Sequence, residues 1–175
     1  MSATQIAVWI AAAGLLFWGV GAYNRLVRMR SEIVRQFASV DAQFRERQAL
    51  LQQLLDTLSQ ALPHAAERLD ALRAACQQAD AACSRARARP GTVGATTSLR
   101  LADDIVAEAR ARLPVQRAPG LDMAPLNAQI ATSDVTLTFA RRQFNEAVVD
   151  YNHAVRQFPT VLLVRLFGFR VAGVL

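Results

Sequence analysis

Between Ser2 and Ala22 the chain carries no Asp, Glu, Lys or Arg, and Arg25, Arg28, Arg30 and Arg35 follow directly after it. A helix of about 20 residues rises about 30 Å, the thickness of a bilayer's hydrocarbon core. Ile6 to Ala22 is apolar on every face, unlike the single stripe of a helix that covers a soluble core. Residues 1–22 therefore read as a transmembrane anchor, with Trp9, Trp18 and Tyr23 as rings suited to the boundary zone. A cleaved secretory signal competes with this, because Val20-Gly21-Ala22 has the small residues of a cleavage site. Such signals, however, have a basic start and a shorter apolar run. The flanks set the orientation: the basic cluster after the span places the rest of the chain in the cytoplasm by the positive-inside rule.

Past residue 22 the sequence is rich in Ala, Leu, Arg and Gln, poor in Gly and Pro, and free of Asn-Gly hairpin signals, which indicates an all-α domain with one core. In Ile33, Phe37, Val40, Phe44, Leu51, Leu54, Leu58 and Ala61 the apolar positions alternate at intervals of four and three, with Arg47 in the one vacant seam position. No Pro or Gly lies between Ala22 and Leu62, so the anchor helix should run unbroken into this one. Leu69, Leu72, Cys76, Ala79, Cys83 and Ala86 mark a second helix that ends before Pro90-Gly91. A third uses Leu99, Ala102, Val106, Ala109 and Leu113, with Asp103-Asp104 and Glu108 opening it, where negative charge complements the helix dipole. A loop to Pro119-Gly120 follows. The fourth helix runs from Leu126 through Ile130, Leu137, Ala140, Phe144 and Tyr151 to Phe158, ending at Pro159.

Short connections between long helices force neighbours to run antiparallel. The first helix beyond the span and the fourth are each about 55 Å long at 1.5 Å per residue, and the middle pair is shorter. The part of residues 23–159 nearest the membrane should then be a two-helix stalk. The last segment, 160–175, returns to the bilayer surface. It is apolar but contains Arg165 and Arg170, too short and too charged to span, and suited to lying in the interface with Phe167 and Phe169. Packing back onto the bundle is its alternative.

Tyr23-Asn24-Arg25-Leu26-Val27-Arg28, Val40-Asp41-Ala42-Gln43-Phe44-Arg45-Glu46-Arg47 and Leu50-Leu51 resemble the first conserved block of the LemA family of bacterial membrane proteins. A second block is similar too: Asp134, Phe139-Ala140-Arg141-Arg142-Gln143-Phe144-Asn145, Val148, Tyr151-Asn152 and Phe158-Pro159, followed by Phe167-Gly168-Phe169. The resemblance implies a long-helix antiparallel bundle behind an N-terminal anchor in the bacterial inner membrane. It assigns no reaction. Where that family has His-Asp-Leu-Ile-Pro-Asn, this chain has Gln48-Ala49-Leu50-Leu51-Gln52-Gln53, so it resembles a divergent member.

No residue set reads as catalytic, cofactor-binding or metal-binding. Cys76 and Cys83, seven apart on one helix, are separated by about 10.5 Å along the axis, too far for a disulfide. His64 and His153 lack neighbouring Cys or paired carboxylates, and no Gly-rich phosphate loop occurs. The net charge of +6 suits an anionic lipid surface or a nucleic acid. Arg85, Arg87, Arg89, Arg110 and Arg112 raise the second, but they are spread over two helices without aromatic stacking platforms, so no nucleic-acid partner is expected.

The membrane-interface residues are Trp9, Trp18, Tyr23, Arg25, Arg28, Arg30, Arg165, Phe167, Phe169 and Arg170. A polar core is expected at Arg47, Asp134, Asn145, Tyr151 and Asn152. Antiparallel pairing would put residue 47 near residue 140, with Asp134 in reach of the Arg; Asn145 and Asn152 would bond across to Asp41 or Gln43. The expected function is a membrane-anchored, non-enzymatic interaction or scaffold protein whose partners are the lipid bilayer and other membrane proteins, a homo-oligomer being compatible. A ligand-sensing or enzymatic helical domain is the alternative, and a membrane-tethered nucleic-acid binder ranks behind it.

Overall fold

The computed structural model describes residues 2–113 and 122–175, all-α with no strand among them. The expected loop around Pro119-Gly120 lies outside the described residues. Helix α1 runs without a break from Ala3 to Ala61, about 88 Å at 1.5 Å per residue. Ser2 and Gln5 cap its start reciprocally, and Pro63, which cannot continue the helix, opens a short 3-10 turn over Pro63–Ala65. The N-terminal part of α1 is long and apolar enough to cross a membrane, and its most apolar 18-residue window is not buried in the protein at all.

Helix α2 spans Ala66–Ala88 and α3 spans Val93–Ala111. The turn between them uses Pro90 and Gly91, the latter at φ +78°, a conformation that disfavours a side chain. Helix α4 covers Ala124–Arg156 and α5 covers Thr160–Phe167, closed by Gly168 in the left-handed conformation. Helix α3 starts at Val93, so Asp103 lies ten residues inside it. The expectation that Asp103 and Asp104 open the helix and answer its dipole is therefore corrected.

Helix α1 is the shared element, packing on α4 and on α2, while α2 packs on α3. The seam is the one the spacing marks out: Ile33, Phe37, Val40, Phe44, Leu51, Leu54 and Leu58 of α1 are buried, as are Ile130, Leu137, Ala140, Phe144 and Val148 of α4. On α2 the buried row is largely alanine, Ala75, Ala79, Ala82 and Ala86, which lets its neighbours approach closely. Phe37 meets Phe144 edge-on with centroids 5.8 Å apart. This fixes the register of α1 against α4: residue 47 lies opposite Asp134 rather than residue 140, a shift of more than a turn.

Residues 160–175 divide into two parts, the short helix α5 and an extended segment after it. Helix α5 turns back beside α1: a methyl at Gly19 would touch Leu163 at 4.0 Å, and Tyr23 packs on Phe167 (5.0 Å) and Phe169 (5.7 Å). After Gly168 the chain is extended and climbs antiparallel to α4, away from the apolar end of α1, as a strap over the bundle. Phe169, Ala172 and Leu175 are partly buried against the core.

Candidate functional site

Two polar levels interrupt the apolar seam. In the first, Arg47 donates through Nη2 to Asp103 and lies 3.6 Å from Asp134 through Nη1. Arg141 donates to the other oxygen of Asp103 at 2.8 Å, and Arg110 donates to Asp134 at 2.7 Å. Three guanidinium groups on three helices thus converge on two carboxylates. Arg47 and Asp103 are each only 7% exposed, and the Arg47 guanidinium stands 5.4 Å from the centre of the Phe44 ring. Burial works to raise the Asp103 carboxyl, but the Arg47 bond and the charges of Arg141 and Arg47 outweigh it and hold it below the usual carboxylate range. The pairing expected between Arg47 and Asp134 is present. The main partner, however, is Asp103, which sequence spacing assigns to a helix start.

The second level centres on Asp41, 5% exposed. Arg87 donates to it through Nε at 3.0 Å and Nη2 at 2.7 Å, Arg45 through Nη2 at 2.9 Å, and the Cys83 thiol at 3.4 Å. Burial again opposes the charge, and the bonds from Arg87 and Cys83 and the neighbouring Arg charges overcome it, leaving Asp41 depressed. Burial pushes the Cys83 thiol up to about 12, and its bond to Asp41 adds to this. Of the five Arg residues that suggested a nucleic-acid face, Arg87 and Arg110 are held in ion pairs between helices of the bundle, and Arg112 pairs at the surface with Glu108, one turn away. Arg47 Nε, Arg141 Nε, Gln48 Oε1 and Ser133 Oγ are buried without a hydrogen-bond partner among the described residues.

Asn145 and Asn152 do not reach Asp41 or Gln43; the strap takes them instead. Asn152 accepts from the Ala172 N–H and donates to the Ala172 carbonyl, both at 2.8 Å. Asn145 does the same for Leu175, at 2.8 and 2.7 Å. Tyr151, its ring buried in the seam, donates its hydroxyl to the Arg170 carbonyl at 3.0 Å. On the opposite side the Gly173 N–H donates to the Gly91 carbonyl at 2.8 Å. Gly173 passes so close to the start of α3 that a Cβ there would lie 2.7 Å from Val93 Cα and would also collide with Thr96 Oγ1.

Trp9, Trp18, Tyr23, Arg25, Arg28 and Arg30 line α1 on its exposed surface, and Phe167 and Phe169 gather at Tyr23. Arg170 is exposed on the strap, and the side chain of Arg165 lies outside the described ones. His64 and His153 sit at opposite ends of the bundle, and no group of His, Cys, Asp and Glu suited to a metal occurs among the described residues. The acidic and aromatic-Asn block that resembled LemA proteins thus forms one structural unit: Asp134 on the Arg47 level, and Phe144, Asn145, Tyr151 and Asn152 as seam and strap clamp.

The LemA family matches this chain over residues 36–174. The chain belongs to the LemA family. The match takes in α2 to α5, the strap and most of the bundle part of α1. No curated protein and no solved structure matches.

Proposed function

We propose that this LemA-family chain is a membrane-anchored, non-enzymatic interaction or scaffold protein, single-pass in the bacterial cytoplasmic membrane with its bundle in the cytoplasm. The observation that carries this is the continuity of α1, one helix from Ala3 to Ala61 with no hinge between the apolar segment and the core. A continuous helix transmits orientation, so a bundle built on it stands at a set height and tilt. Arg25, Arg28 and Arg30 at the end of the apolar run support the cytoplasmic placement, and the exposed apolar face of α5 supports a second contact with lipid. The charged groups inside the bundle are mostly paired with one another, which suits structural keys better than a reaction centre.

Recovery of the full chain from native membranes after cross-linking in place, in mild detergent, tests this. The expected result is reproducible recovery of membrane proteins in fixed proportion. Recovery of the chain alone, with its melting temperature raised by a small-molecule mixture, would favour ligand sensing at the Arg47 level instead.

A further inference from the structure

The strap, α1 and the turn between α2 and α3 converge at the foot of the bundle. A Cβ at Gly91 would come within 3.1 Å of Ile33 and 3.4 Å of Ala172, so the three elements meet there. A cavity of about 570 Å³ opens among them, and each contributes one guanidinium group to its wall: Arg30 from α1, Arg89 from the end of α2 and Arg170 from the strap. No Asp or Glu is among the described residues that line it. None of the three guanidinium groups has an ion-pair or hydrogen-bond partner among the described residues, whereas Arg45, Arg47, Arg87, Arg110 and Arg141 all hold carboxylates. Tyr151 lies on the same wall. Burial pushes its hydroxyl up and the charge of Arg30 works against this, which puts Arg30 within electrostatic range of it.

We propose that this cavity is a binding site for a phosphate ester, with Arg30, Arg89 and Arg170 as the groups that hold the anion. Three like charges around one space repel, and a multiply charged anion between them turns that repulsion into attraction. Guanidinium forks from three separate elements need an acceptor with oxygens on several faces, which a tetrahedral phosphate offers and a planar carboxylate does not. Helix α3 begins at the same wall, where Thr92 makes no capping bond, so its first N–H groups add donors. The volume is that of an organic ligand site rather than of a bare ion. A further cavity of about 380 Å³ beside Tyr23, Phe167 and Phe169 shares Arg30 and gives the organic part an apolar wall. Arg30 is eight residues past Ala22, about 12 Å along α1, and a headgroup layer is about 5–8 Å thick. The site thus stands just above the headgroups, within reach of a lipid phosphate and of a soluble phosphate ester alike. Either ligand ties the turn and the strap to the anchor helix. The inference goes beyond the scaffold function proposed above and does not depend on it.

The test uses the full chain in phosphatidylcholine vesicles and follows phenylglyoxal modification of individual Arg residues by mass spectrometry. One arm adds glycerol 3-phosphate and the other builds phosphatidic acid into the vesicles, both at constant ionic strength. Arg30, Arg89 and Arg170 are expected to be protected saturably and several-fold, while the exposed Arg68 and Arg142 react at an unchanged rate. Protection by glycerol 3-phosphate identifies a soluble ester as the ligand, and protection by phosphatidic acid alone identifies a lipid headgroup. No protection by either probe, or equal protection of Arg68 and Arg142, overturns the site. The double variant Arg89→Gln with Arg170→Gln should weaken the apparent affinity read at Arg30 by about tenfold or more. Arg68→Gln with Arg142→Gln removes the same charge and should leave that affinity nearly unchanged. Equal weakening in the two double variants would reduce the effect to net charge and also overturn the site. Each readout is a residue of the cavity, so the result is independent of which membrane proteins co-purify.

Discussion

Arg47 and Asp103, 56 residues apart in the chain, close a buried ion pair between α1 and α3. The two partners are not equivalent. Asp103 serves Arg47 and Arg141 together, whereas removing Arg47 leaves Asp103 with Arg141 and Asp134 with Arg110. Asp103→Ala should thus cost about 3 kcal/mol, the scale of breaking a buried pair from one side, and Arg47→Leu should cost less than about 1 kcal/mol or stabilise. Chemical denaturation of the detergent-solubilised protein measures both. Equal losses would mean that Arg141 does not support Asp103.

Asp41 and Asp103 both titrate below their ordinary range in the folded protein. A depressed carboxylate contributes stability that is fully present above its unfolded pKa, about 3.9, and is lost as pH falls through the folded value. Melting temperature should hold between pH 5 and 7 on this account and drop below about pH 4. The acid limb should be shallower in Asp103→Asn. An unchanged limb in that variant would place the acid sensitivity elsewhere.

The helices and their seam were legible because the four-three spacing of apolar residues is local information. The unbroken α1 was legible because nothing from Ala22 to Leu62 breaks a helix. Register was not: a seam that repeats every seven residues fits its partner nearly as well when slipped by about a heptad, and only the Phe37–Phe144 contact and the Arg47–Asp134 pair select one pairing. Asp103 was misplaced for a related reason. The first seam residue that the spacing marks in this helix is Leu99, yet α3 begins six residues earlier at Val93, where Gly173 of the strap packs against its first turn. The strap itself has no periodicity, and its apolar residues suit a bilayer and a groove equally. Only the paired geometry of Asn145 and Asn152 distinguishes the two.

Cys83 and Cys76 are both free thiols, with Cys83 buried and Cys76 half-buried. With the Cys83 thiol pushed up to about 12, its thiolate fraction at pH 8 is on the order of 10⁻⁴, so alkylation in the native state should fall on Cys76. Mass spectrometry after timed iodoacetamide exposure should show Cys83 modified only at denaturant concentrations that unfold the bundle. Early modification of Cys83 would show that α2 opens locally from α1.

Tyr151 joins the seam to the strap through its ring and its hydroxyl. Tyr151→Ala should cost about 3 kcal/mol through the cavity it leaves, and Tyr151→Phe about 1 kcal/mol through the lost bond to Arg170. The Phe variant should also speed amide exchange at Ala172, Gly173 and Leu175 while leaving α1 protection unchanged. Unaltered exchange there would mean that the two Asn residues hold the strap alone.

The last expectation separates α5 from the strap. Helix α5 lies beside residues Gly19 to Tyr23, packs Phe167 on Tyr23 and turns Leu162 and Leu166 outward, Leu166 being 75% exposed. An apolar face at the end of an apolar helix gains free energy by entering the interface, at about 25 cal/mol per Å² buried, while Arg25, Arg28 and Arg30 add attraction to anionic headgroups. The strap, held on the bundle by Asn145, Tyr151 and Asn152, does not share in this contact. A chain lacking residues 1–18 keeps the α1 segment that α5 packs on, and it should float with anionic liposomes in a partly salt-sensitive manner. Leu166→Asp should abolish flotation, whereas removal of residues 169–175 should leave most of it. Flotation lost with the strap but kept in Leu166→Asp would reverse these roles, making the strap the lipid contact and α5 part of the bundle.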